Sequence, residues 1–77
     1  MESFINRITI DDALCNGKPT IRGKRITVQT VLEFLSAGEL EEEILRQYPS
    51  LEPEDITACL QFAAQMMDRN YLIRSTA

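Results

Sequence analysis

The chain changes its hydrophobic period near residue 28. Arg7-Ile8-Thr9-Ile10 alternates polar and apolar with β-branched residues, which predicts a short, half-buried strand that Asp11-Asp12 ends. Residues 12–15 have room for one helical or 3₁₀ turn. Asn16-Gly17-Lys18-Pro19 is a turn signal. Residues 20–28 form a second β-like stretch, broken at Gly23. Ile8/Ile10 and Ile26/Val28 share a spacing of two, so the two segments are expected to pair. A two-stranded ribbon is marginal alone, so the pairing extends naturally to a second copy.

From Val28 the period becomes helical. Val28, Val31, Leu32 and Leu35 follow the i, i+3, i+4, i+7 rule, with Thr27 as the N-cap and Gly38 as the C′ residue. Residues 41–48 predict a second helix, with Ile44, Leu45 and Tyr48 on one side and acids on the other, stopped by Pro49. Pro53 opens a third helix, roughly 53–69, in which Glu54 and Asp55 suit the positive end of the dipole. Its expected core stripe is Ile56, Leu60, Ala63, Ala64 and Met67, flanked by Cys59, Phe62 and Met66. The resulting expectation is a mainly α, dimeric protein: a three-helix, helix-turn-helix-like core behind a short N-terminal β ribbon. It is one domain over 1–77, divided into a β/basic segment (7–28), the helical core (28–69) and a tail (70–77).

Composition narrows the function. The 77 residues bury about 60% of their unfolded surface at most, so the core is small. There is no His, which removes Ser-His-Asp and Cys-His catalysis and His metal ligation. Two cysteines, Cys15 and Cys59, do not supply a four-ligand zinc site or a disulfide framework, so both read as reduced, with Cys59 a core packer. No cofactor, metal, small-molecule substrate or membrane is expected. No apolar run has the length of a span, and Met1-Glu2-Ser3-Phe4 does not read as a signal peptide, so the expected location is cytoplasmic.

The net charge of −4 conceals a split. Residues 1–29 hold five bases against three acids, and residues 30–77 hold three bases against nine acids. Lys18, Arg22, Lys24 and Arg25 fall within eight residues without an acid, whereas residues 39–55 carry seven acids against Arg46. This is the pattern of an oriented partner surface, or of two solvated faces. Two helices joined by a short turn suggest a helix-turn-helix unit, but Glu54 and Asp55 at the start of the third helix, behind Glu41-Glu42-Glu43, repel phosphate. DNA contacts, if made, fall to Lys18, Arg22, Lys24 and Arg25, with Arg7. Residues 16–20 lack the frame of a phosphate loop, and the carboxylates lie on polar helix faces, so no catalytic residue is assigned.

The most specific feature is the run Arg7-Ile8-Thr9-Ile10-Asp11 followed by Cys15-Asn16-Gly17-Lys18-Pro19-Thr20-Ile21-Arg22-Gly23-Lys24-Arg25-Ile26. It resembles the signature of a small bacterial family, domain of unknown function 433. The likeness continues through Ala37-Gly38-Glu39, Glu42-Glu43-Ile44-Leu45, Tyr48-Pro49 and Pro53-Glu54-Asp55-Ile56, roughly residues 7–65. Members are similar to helix-turn-helix proteins, and some resemble VapB-type antitoxins paired with a PIN-like RNase toxin. The resemblance therefore implies a non-enzymatic antitoxin-like regulator that binds such a toxin and its own promoter DNA. A stand-alone DNA-binding regulator and a structural dimerisation module are the alternatives.

In the motif, Gly17, Pro19 and Gly23 shape the backbone, Ile21 and Ile26 anchor the ribbon, and Arg22 and Arg25 present forked donors. Those arginines address either a partner or the protein's own acids. Leu40 and Glu52 stand where the family habitually caps helices two and three with Ser and Thr, and Lys24 replaces a usual Thr. Phe62, Met66, Tyr71, Leu72 and Ile73 are the expected dimer contact.

Overall fold

The structure is a computed structural model and describes residues 6–69. Its elements in chain order are strand β1 (Ile8–Thr9), a turn at Cys15–Gly17, strand β2 (Thr20–Ile21) and helices α1 (Val28–Ser36), α2 (Glu41–Gln47) and α3 (Pro53–Arg69). The protein is mainly α, with three helices and a short antiparallel ribbon.

The helix ends follow from the sequence. The Thr27 hydroxyl accepts the Thr30 N–H at 3.1 Å, which caps α1. At the other end the Gly38 N–H donates to the Leu35 carbonyl and the Glu39 N–H to the Phe34 carbonyl, both at 3.0 Å, closing a Schellman motif. Leu40 gives α2 no side-chain cap. At α3 the cap is reversed: the Asp55 carboxylate reaches back to the Glu52 N–H at 2.8 Å, half of a capping box.

The ribbon differs from its expected register. Ile8 pairs with Ile21 and Thr9 with Thr20, rather than with Ile26 and Val28. The chain turns back immediately after β2: Ile21 donates to the Ile26 carbonyl at 3.0 Å, and Thr20 bridges Thr27. Thr20-Ile21 is thus flanked on both sides, which explains its complete burial. Val28, at the overlap of the expected β-like stretch and the expected helix, opens α1 behind its Thr27 cap, and Ile10 is exposed. The turn expected over 12–15 falls at Cys15–Gly17, where Cys15, Asn16 and Gly17 all have positive φ, of 50°, 58° and 80°. This is a single left-handed turn, a conformation that costs roughly 1–2 kcal/mol per non-glycine residue.

The core joins the elements. Ile21, Val28, Val31, Ile44, Leu51, Ile56 and Cys59 are buried together, with Ile8, Ile26, Phe34, Tyr48 and Phe62 packed at the edge. Each fully buried Ile contributes roughly 1.5–3 kcal/mol. Helix α3 is rotated relative to the expected stripe. Ile56, Ala58 and Cys59 are buried, while Leu60, Ala64 and Met67 are exposed and Ala63 is half-buried. Its polar stripe of Glu54, Thr57, Gln61, Gln65 and Asp68 leaves a wide apolar arc, within which periodicity alone admits two orientations. The helix takes the one that brings Asp55 to the ribbon.

Candidate functional site

The basic motif hangs on a tight turn. The Ile21 carbonyl accepts the Lys24 N–H at 2.8 Å across Arg22 and Gly23, whose φ values are 49° and 73°. Two positive-φ centres mark a type I′ turn, in which glycine is at ease and arginine is strained. No atom lies within 4 Å of a Cβ added to Gly23, so the backbone alone dictates glycine there.

The strained Arg22 aims at α3. Its Nε donates to Asp55 Oδ1 at 3.0 Å and its Nη2 to Oδ2 at 2.7 Å, a bidentate pair. Nη2 also reaches the Ser50 carbonyl at 3.0 Å. Arg7 lies beside it, its carbonyl accepting the Arg22 N–H at 2.9 Å. Arg7 Nη1 donates to Asp55 Oδ1 and to Glu52 Oε1, both at 2.8 Å. With the Glu52 N–H, Asp55 accepts four hydrogen bonds. A carboxylate offers about four acceptor positions, so this one is saturated.

Asp55 is completely buried. Burial pushes its carboxyl up, but the bonds from Arg22, the Glu52 N–H and Arg7 outweigh that, and it sits below its ordinary value of 3.8. Arg22 is held protonated chiefly by Asp55, and Arg7 chiefly by Glu52. The Cys59 thiol is pushed up to about 12 by burial and by nearby Asp55, so it is an inert core group.

The five candidate basic residues thus separate. Arg7 and Arg22 engage the protein's own acids. Lys18 and Arg25 are exposed and Lys24 is half-buried, and none of the three makes an ion pair among the described residues. Pro19 accepts the Val28 N–H on its carbonyl at 2.9 Å. Its ring lines an apolar groove of about 460 Å³ with Val28, Leu32, Phe62, Met66 and Met67. Of the expected dimer contact, Phe62 is half-buried at the core edge and Met66 is exposed. Tyr71, Leu72 and Ile73 lie outside the described residues.

The sequence pattern missed Asp55 as the centre of the motif, because an acid in a helix's first turn is already accounted for by the dipole. Its signal was position: third in the helix, directly before buried Ile56. A second cleft, of about 360 Å³ between α1 and α2, was also missed; it is lined by Thr30, Glu33, Phe34, Ala37, Glu39 and Tyr48. Among the described residues no group of three His, Cys, Asp or Glu is placed to hold a metal, and no helix is long and apolar enough to cross a membrane.

A family described as protein of unknown function, DUF433, matches residues 8–63, most of the chain. The chain belongs to the DUF433 family. The match spans β1, β2, α1, α2 and the first two-thirds of α3, so the DUF433 region contains the whole Arg22–Asp55 contact. The crystal structure of a DUF433 member protein from Anabaena variabilis ATCC 29413 is similar to this one, with a TM-score of 0.76 and 34% identity. The similarity covers 84% of this chain and 67% of that one. Comparison with curated proteins gives no match.

Proposed function

We propose that this DUF433 protein is a non-enzymatic, antitoxin-like regulator whose acidic helices bind a basic protein partner, a PIN-like RNase toxin. The observation that carries the reading is the disposition of charge. Asp55 takes Arg7 and Arg22 out of the basic motif, while Glu39, Glu41, Glu42 and Glu54 make no ion pair among the described residues. What faces outward is therefore more acidic than the motif suggests, and such a surface complements the cationic, phosphate-binding cleft of a nuclease. The apolar groove lined by Pro19, Leu32 and Met67 suits a contact with a second copy, so the proposed regulator is a homodimer. The test is co-purification with the product of the adjacent reading frame, together with the toxicity of that product alone. A harmless neighbour, or one that does not bind, refutes the reading.

Promoter DNA is the second target, because Lys18, Lys24 and Arg25 make no ion pair among the described residues. Binding should then weaken steeply with salt, and the slope should flatten on Arg25→Ala and not depend on Arg22 as a phosphate contact. An absence of binding at low salt removes DNA from the function.

A further inference from the structure

The cleft between α1 and the end of α2 sets two aromatic side chains of the core edge beside two exposed carboxylates. Phe34, from α1, and Tyr48, at the end of α2, meet edge to face, with ring centroids 6.0 Å apart and planes at 65°. They form an aromatic corner. Glu33 and Glu39 stand in the wall of the same cleft and are both exposed. The Glu33 carboxylate accepts Gln29 Nε2 at 3.1 Å, and neither Glu33 nor Glu39 makes an ion pair among the described residues. Three other acids of this half have internal work: Glu43 holds Arg46 and Gln47, Glu52 holds Arg7, and Asp55 holds both arginines.

We propose that this cleft receives a basic side chain of a protein partner, with the cation between the Glu33 and Glu39 carboxylates and its stem along Phe34 and Tyr48. Aromatic walls attract a cation at close range, and paired carboxylates fix a guanidinium or ammonium by charge-assisted hydrogen bonds. The volume, about 360 Å³, lies at the low end of ligand pockets and suits one side chain. The occupant is protein and not a free polyamine, because the neighbouring first turn of α2 extends the negative surface through Glu41 and Glu42, which suits a longer basic segment. The assignment rests on the proposed role of the acidic helices as a partner surface.

The experiment titrates the full chain, labelled with ¹⁵N, with an acetylated hexa-arginine amide and follows the amide shifts. The expected shifts centre on Gly38, Glu39 and Tyr48. The double variant Glu33→Gln/Glu39→Gln should weaken binding by about tenfold. Glu41→Gln/Glu42→Gln, which removes the same charge outside the cleft, should weaken it less than about threefold. Tyr48→Leu should weaken it with the charge intact. Equal weakening by the two double variants, or shifts centred on Glu41 and Glu42, or no shifts at all, overturns the proposal. Localised binding of the peptide without capture of the neighbouring gene's product would refute the toxin reading alone. Capture undiminished by Glu33→Gln/Glu39→Gln would refute the cleft alone.

Discussion

In the helical segment, residues 28–69, the buried side chains are mostly aliphatic: Val28, Val31, Ile44, Leu51 and Ile56. In the ribbon segment, residues 7–27, only Thr20 and Ile21 are buried. Five of the six positive-φ residues among the described ones lie there too, at 15–17 and 22–23. The helices are thus specified by hydrophobic patterning, which tolerates exchange of similar side chains. The ribbon is specified by backbone conformation and by one saturated carboxylate supplied from the other segment. The same residue types therefore carry different weight on either side of residue 28. A surface-looking arginine in the ribbon is a structural part, while the surface glutamate of α1, Glu33, makes no ion pair among the described residues.

The comparison breaks most completely at Asp55. Asp55→Ala leaves two guanidinium groups facing a hole and uncaps α3, and is expected to cost about 3 kcal/mol, measured by urea unfolding. Acid acts on the same atoms. Because the Asp55 carboxyl is held below its ordinary value, its contribution is complete above about pH 4 and is lost as pH falls through the lowered value. Asp55→Asn should remove that part of the acid sensitivity in a pH series of melting curves. Gly23→Ala meets no clash, so its expected cost of about 1 kcal/mol is backbone strain alone. Leu40→Ser sharpens the helical side: Leu40 is exposed with N-cap geometry (φ −81°, ψ 157°), and a serine there should stabilise by roughly 0.5–1 kcal/mol. At the small end, Arg25→Ala should leave the melting temperature unchanged while Arg22→Ala lowers it, two substitutions three positions apart in one motif.

How much of this was legible in the sequence follows the same division. The three helices lie where Thr27, Gly38, Pro49 and Pro53 place their ends, because caps and prolines act locally. The ribbon register was not legible. It depends on Arg22 adopting a conformation that arginine ordinarily avoids, offset by bonds to the distant Asp55 and Ser50. The face of α3 was ambiguous for a related reason. With Cys59, Phe62 and Met66 adjoining Leu60, Ala64 and Met67, hydropathy admits two stripes, and a polar contact chooses between them. The aromatic corner joins Phe34 of α1 to Tyr48, the residue that follows α2, so no local pattern announces it.

The contact of Arg7 with Asp55 spans 48 positions of the chain. A fragment that stops before α3 lacks the Asp55 carboxylate, and with it the partner that holds Arg7 and Arg22. The ribbon should therefore be absent from a peptide that stops before α3, however faithfully it carries the motif. The first strand is thus held in place by a carboxylate that lies 48 positions further along the chain than the arginine beside it.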